Sequence, residues 1–221
     1  MIKLIAFDWN GTLLEDTNLI AQATDITFKH FGYKPIGIRK YRQTFTIPVL
    51  DFWLANGGKK EDMLTEHNIF FSIYENLLKN VHPKAGAKKV LQWIQKNNIE
   101  SIIYSNHTFK EIHFQLKRFG LNQYIKEVLS RKDMSDQVHL LKRHKEDKLA
   151  DYIKKHKFKP QEIISVGDTC EEIDIGHNLN LHTVAITGGE STTARLKKQH
   201  PNFLIHNMKD LIGIVKKLNN I

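Results

Sequence analysis

Ile2-Lys3-Leu4-Ile5-Ala6-Phe7-Asp8-Trp9-Asn10-Gly11-Thr12-Leu13-Leu14 is the stretch whose reading decides the fold. Ile2–Phe7 is a strand-length run, apolar except at Lys3, and rich in residues that suit a buried strand. It stops on a carboxylate, Asp8. Gly11 follows at once, so the chain turns where the strand ends. The run is too short for the apolar core of a secretory leader, and Asp8 interrupts it.

Three further runs recur downstream at wide intervals: Ile99–Tyr104, Glu162–Val166 and Leu181–Ile186. Helical spacing fills the gaps, as in Ala87–Ile94 and Lys148–Ile153. Buried strands alternating with helices predict an α/β fold with a doubly wound parallel sheet. In such sheets chemistry collects beyond the carboxyl ends of the strands. The segment between the first two runs differs. Leu19, Ala23 and Ile26 share one helical face; Ile69, Ile73 and Leu77 share another, widened by Phe70 and Leu78. Asp16 or Thr17 is placed to cap the first helix, and Pro48 and Gly57-Gly58 break the segment into several. The pattern predicts a small, separate α-helical subdomain over 16–82, inserted into a core of 1–15 and 83–221. Pro83 and Gly86 mark the return to that core.

With 221 residues, 41% hydrophobic and 26% charged, the chain has room for one sizeable core and a smaller appended unit. No apolar stretch approaches the ~20 residues that cross a bilayer, so a cytoplasmic protein without a membrane partner is expected. The lone Cys170 excludes an internal disulfide and a multi-cysteine zinc site. The twelve histidines form no zinc-protease pair, and His139 and His144, set among charges, read as surface residues. The net charge of +9 is spread along the chain, with some concentration between Arg131 and Lys159. It reads as solvated helix faces rather than a nucleic-acid footprint. No feature sets an oligomeric state.

The strand ends carry the chemistry. Asp8-Trp-Asn-Gly-Thr-Leu follows the first run, Ser105-Asn106 the second, and Gly167-Asp168-Thr169-Cys170-Glu171-Glu172 the third, preceded by a basic helix with Lys142, Lys145 and Lys148. Singly, each has an ordinary structural explanation: a turn aspartate, an N-cap, a solvated lysine. Together, in this order, they would converge on one crevice.

That order resembles the haloacid dehalogenase (HAD) superfamily along essentially the whole chain. Pro83-Lys-Ala-Gly-Ala and Thr187-Gly-Gly-Glu are similar to its phosphoglycolate phosphatase-like branch, whose helical cap follows the first strand. The resemblance implies a phosphatase acting on a small phosphorylated metabolite through an aspartyl-phosphate on Asp8. It assigns Mg²⁺ to Asp8, the Asn10 carbonyl and Asp168, with Glu172 (Glu171 second) supporting the metal. Ser105 and Asn106 would bind the phosphoryl oxygens, beside Gly11 and Thr12 of the first motif. Lys145 fits the phosphate lysine best by spacing, ahead of Lys148 and Lys142. Cys170, in the metal loop, reads as a small residue in a tight turn.

One position departs from the pattern. Relatives carry an aspartate two residues after the nucleophile, as the proton shuttle; here it is Asn10, which cannot move a proton near neutral pH. An easy leaving group such as an acyl phosphate, a substitute acid (Glu15, Asp16 or a cap residue), or a weak phospholigand-binding relative would each accommodate this. A phosphonoacetaldehyde hydrolase-like reaction would need a Schiff-base lysine in the cap, with Lys34 and Lys40 as candidates. Arg39-Lys40-Tyr41-Arg42 reads as a solvated helix face, and Phe52 and Trp53 as cap core.

Overall fold

Along Leu4-Ile5-Ala6-Phe7, side chains point alternately to opposite faces of a sheet, yet all four are buried. Both faces must therefore be covered. The computed structural model describes residues 1–133, 135 and 138–220, and it supplies that cover. Leu4 and Ala6 pack against helices α8 (Lys145–His156) and α9 (Cys170–Asn178) through Leu149, Tyr152 and Ile175. Ile5 and Phe7 share the opposite cluster with Val90, Leu91 and Ile94 of α5 (Ala87–Lys96). Ile112 and Leu116 of α6 (Phe109–Phe119) and Leu211 and Val215 of α11 (Asp210–Asn219) join the same cluster. Each such side chain contributes about 1.5–3 kcal/mol on full burial.

The sheet has six parallel strands in the order β3-β2-β1-β4-β5-β6: β1 Leu4–Phe7, β2 Glu100–Thr108, β3 Glu127–Arg131, β4 Ile163–Gly167, β5 His182–Ile186 and β6 Phe203–Ile205. Phe7 sits between Ile103 of β2 and Val166 of β4. The winding direction reverses at the β1–β4 pair, and there a crevice opens beyond the strand ends. The expected doubly wound α/β sheet is present, with two strands the apolar runs do not announce. These are β3 and β6, the two edges. Ser105-Asn106, expected just after a strand, lies inside β2.

Helices α1 (Thr17–His30), α2 (Gly37–Thr44), α3 (Val49–Ala55) and α4 (Met63–Leu77) occupy the segment between β1 and α5. Phe28, Trp53 and Leu140 form a cluster of their own, and the Trp53 indole donates to the Lys59 carbonyl over 2.8 Å. Leu140 belongs to a short helix, α7 (Val138–Leu141), from the core side of the chain. A further short helix, α10 (Thr193–Lys198), packs Leu196 onto Ile173 and Ala185.

Two expectations are corrected here. His139 and His144 are buried, not surface residues, because α7 and the start of α8 lie under the helical segment. Asp16 does occupy the N-cap position of α1, but its side chain makes no capping bond. No helix among the described residues is long and apolar enough to cross a membrane.

Candidate active site

The Asp8 amide donates to the Val166 carbonyl over 2.9 Å, carrying the β1–β4 ladder one residue past the strand. The chain then turns sharply: Leu13 and Leu14 donate to the Trp9 carbonyl at 3.0 and 2.9 Å. Gly11 adopts φ +68°, and a Cβ there would overlap the Asp168 carboxylate, so only glycine fits. The turn is pinned from three sides. The buried Trp9 indole donates to Gln115 Oε1 (2.8 Å), Gly11 N donates to Asp16 Oδ1 (2.8 Å), and Lys84 Nζ donates to the Gly11 carbonyl (2.6 Å).

Lys145 opens α8 and is 1% exposed, so its charge must be met inside the protein. Its Nζ lies 2.9 Å from Asp8 Oδ1 and 3.5 Å from Glu171 Oε2, and it also pairs with Glu172 Oε1. Burial alone would lower the Lys145 pKa; the three carboxylates outweigh it and hold the ammonium well above its usual value. Lys142 is exposed, and Lys148 donates to the Ser130 carbonyl over 2.7 Å.

At the end of β4, Asp168 Oδ1 accepts from the Thr12 hydroxyl (2.7 Å) and Oδ2 from the Glu190 amide (2.6 Å). Burial, then the charge of Glu172, pushes the Asp168 carboxyl up to about 6. Thr169 caps α9, and Glu172 closes the capping box by accepting from the Thr169 amide (2.9 Å). Both Glu172 oxygens are thus engaged, by Thr169 and by Lys145. Burial would raise the Glu172 carboxyl, but these partners hold it below its usual value. Glu171 accepts from Asn106 Nδ2 at 2.9 Å through Oε2, while its buried Oε1 has no hydrogen-bond partner.

From β2, Ser105 Oγ accepts the His107 amide at 3.1 Å, and the Asn106 carbonyl accepts Arg131 Nε at 2.5 Å. Asp8, Asn10, Ser105, Asn106, Lys145, Glu171 and Glu172 all line one cavity of about 130 Å³ beneath the inserted helices. Gly11, Thr12 and Asp168 lie beside it: both backbone groups of Gly11 and the Thr12 hydroxyl are already engaged. Asp8 is raised well above the ordinary carboxylate value by burial, against Lys145, with Glu172 and Asp168 adding to the rise.

The Asn10 amide donates to Asp16 Oδ2 (2.6 Å) and to the Tyr74 hydroxyl (3.0 Å), and Tyr74 also donates to Asp16 Oδ2 (2.5 Å). Burial raises the Asp16 carboxyl, partly offset by these donors. Glu15, the other nearby acid, is half exposed and 3.5 Å from Lys84. Sequence reasoning gave no role to Tyr74, Lys84, Arg131 or Glu190. Lys84 and Glu190 stand in the two short motifs quoted above, which was a usable signal; Tyr74 and Arg131 had none.

Arg39 and Lys40 are exposed, as a solvated face requires, but Tyr41 is buried and Arg42 reaches across to the Gly189 and Gly188 carbonyls at 2.8 and 2.9 Å. Lys34 and Lys40 are exposed and are not among the cavity's lining residues. Phe52 and Trp53 are buried and also line the cavity.

The carboxylates of Asp8, Asp16, Asp168, Glu171, Glu172 and Glu190 are all buried, facing the buried Lys145 and Lys84. An excess of hard oxygen donors, with raised carboxyl pKa values and an unpartnered Glu171 oxygen, fits a hard divalent cation. Among the described residues no three His, Cys, Asp or Glu side chains converge as a ready-made metal cluster. A cation here would complete its shell with backbone and water oxygens, which suits Mg²⁺.

The wider comparisons agree with this geometry. A family model described as "Haloacid dehalogenase-like hydrolase" matches residues 5–186. The chain is 27% identical over 220 residues to the pyrophosphatase PpaX of Oceanobacillus iheyensis, covering 97% of each chain. It is 23% identical over 234 residues to a phosphoglycolate phosphatase of Photobacterium profundum, covering 97% of this chain and 96% of that one. Its fold superposes on a haloacid dehalogenase-like hydrolase of Streptococcus pneumoniae with a TM-score of 0.80 at 18% identity, covering 97% and 98% of the two chains. A predicted phosphatase of Clostridium acetobutylicum gives 0.79 at 16% identity, covering 98% and 99%. By sequence match and by fold, the chain belongs to the haloacid dehalogenase-like hydrolase family.

Proposed function

We propose that the protein is a Mg²⁺-dependent phosphatase acting on a small phosphorylated metabolite, with Asp8 as nucleophile and the helical segment 16–82 as its cap. The observation that carries this reading is the buried contact of Lys145 Nζ with Asp8 Oδ1, 2.9 Å, in the wall of the cavity. Burial raises the Asp8 carboxyl, and the fixed charge of Lys145 works against that rise and favours the ionised, nucleophilic form. That pair can receive a phosphate dianion and still present a nucleophile.

An Asp8 oxygen attacks phosphorus in line, the bond to the leaving oxygen breaks, and an aspartyl-phosphate forms; water then hydrolyses it and returns Asp8. Ser105 and the Asn106 backbone, both lining the cavity, would donate to the phosphoryl oxygens, and Lys145 would neutralise charge on both partners. Asp8, Asp168 and the Asn10 carbonyl would hold Mg²⁺, with Glu172 supporting, and the bound ion would offset phosphoryl charge and orient its oxygens. The Asn10 side chain cannot protonate the leaving oxygen. Turnover is therefore fast only for esters with good leaving groups.

The test is hydrolysis of p-nitrophenyl phosphate. Activity should require Mg²⁺ and disappear in Asp8→Asn. Residual activity in that variant would remove Asp8 from the nucleophile's role. A second reading, a phospholigand-binding protein using the same crevice, is favoured by Asn10 alone; tight phosphonate binding without any turnover would establish it instead.

A further inference from the structure

The cavity above Asp8 holds its lysine at one end. Its remaining walls are mainly aromatic, with Thr24, His67, His107, His139 and Glu190 among them. Tyr41, Phe45 and Phe52 form one cluster, with ring centroids 5.0, 5.4 and 5.5 Å apart. Phe70, Phe71 and Tyr74 of α4 form another, with Phe70 stacked on Tyr74 at 5.8 Å. His107 lies 5.9 Å from both the Phe71 and the Tyr74 rings. All seven line the cavity.

Arg131 lies behind the wall, 5.3 Å from the Phe71 ring, but does not line the cavity. Among the described residues lining the cavity, Lys145 is the only lysine or arginine, and it is already shared by Asp8, Glu171 and Glu172. Glu190 adds a buried carboxyl to the wall and no counter-charge; burial, then Asp168, raises it well above its usual value. Two of the lining histidines are no substitute for a cation: burial, with the nearby Arg131 charge, lowers His107 to about 3 and His139 to about 2, so both are neutral. A second anionic group on a ligand would lose its hydration here and meet rings and carboxylates instead of a counter-charge. An uncharged ring would meet the edges and faces that aromatic packing favours.

We propose that this site selects phosphate monoesters whose organic group is uncharged and largely apolar, and rejects those carrying a second anion. The inference rests on Asp8 and Lys145 marking the phosphoryl position, and it names what lies at the other end.

Binding separates ligand class from catalysis. Titration calorimetry at matched free Mg²⁺ would compare benzylphosphonate with phosphonoacetate and methylenediphosphonate. Benzylphosphonate should bind at least about tenfold more tightly. Phe45→Ala and Phe70→Ala, each at a half-buried position and checked for an intact thermal transition, should each weaken benzylphosphonate severalfold and leave phosphonoacetate unchanged. Equal or tighter binding of either ligand with an anionic tail would overturn the inference. In turnover, kcat/KM should favour benzyl phosphate over phosphoglycolate, two esters of similarly basic alcohols. Asp8-dependent hydrolysis that favours phosphoglycolate would overturn the ligand class while leaving the phosphatase reading standing. A benzylphosphonate preference with no Asp8-dependent hydrolysis would uphold the ligand class and sink the phosphatase reading.

Discussion

The Asn10 side-chain amide donates to Asp16 Oδ2 over 2.6 Å, so the residue standing in the proton-shuttle position is tied to a buried carboxylate. Replacing Asn10 with aspartate would set two carboxyl groups side by side. Like charges that close cannot both ionise readily, so one of them would hold a proton near neutral pH. Asn10→Asp should then raise kcat on an alkyl phosphate by about 10²–10⁴-fold, the usual worth of a general acid–base group. An unchanged kcat would mean that proton transfer does not limit this protein.

Lys145 answers three buried carboxylates at once. Lys145→Met should raise KM and lower kcat for p-nitrophenyl phosphate, and destabilise the fold by roughly 3–5 kcal/mol at neutral pH, the cost of leaving buried charge unpaired. Denaturant unfolding reads the stability change. Lys142→Ala, at an exposed position, should leave both rates and stability as they are.

Magnesium affinity should depend on pH through Asp168, whose carboxyl is pushed up to about 6 by burial and by Glu172. Above that pH the carboxylate is free to bind; below it a proton competes. Apparent affinity should fall by about tenfold per pH unit below that point for each proton displaced. Calorimetric titrations at pH 7.5, 6 and 5 would show this, and a flat profile would place the ion elsewhere.

His107 and His139 each predict an acid-sensitive contribution to stability. Unfolded, each takes a proton near its ordinary pKa of about 6.5; folded, burial holds them at about 3 and about 2. As pH falls below that ordinary value the unfolded chain binds protons the folded one does not, so stability falls with it. Between pH 6.5 and 5 each histidine should cost about 2 kcal/mol. The raised carboxyls of Asp8, Asp16, Asp168, Glu171 and Glu190 work in the opposite direction, so the histidine's share is read against His139→Phe, which should lose less stability, or gain more, over that interval. Parallel pH profiles for the two proteins would rule the histidine out.

How the fold was written in the chain differs from strand to strand. The apolar runs that become β1, β2, β4 and β5 are visible because inner strands of this sheet are covered on both faces and must be apolar throughout. β3, Glu-Val-Leu-Ser-Arg, and the three-residue β6 are the edges, where cover is partial and the run is short or interrupted by polar residues, so no apolar stretch betrays them.

Sequence by itself determined the parts that local chemistry enforces: a strand closing on Asp8, a turn needing Gly11, an acidic loop at Asp168–Glu172, and an amide where a carboxylate is expected. Tertiary structure alone decided which groups meet. Of three lysines on one basic segment, Lys145 reaches Asp8 because α8 begins there and turns that side chain inward, while Lys142 faces solvent and Lys148 a backbone carbonyl. His139 and His144 are buried by helices far off in the chain, and Asp16, at a helix cap, turns its carboxylate to Asn10, Gly11 and Tyr74 instead. Burial and counter-charge depend on what packs against a residue from elsewhere in the chain, and neighbours in sequence do not record it.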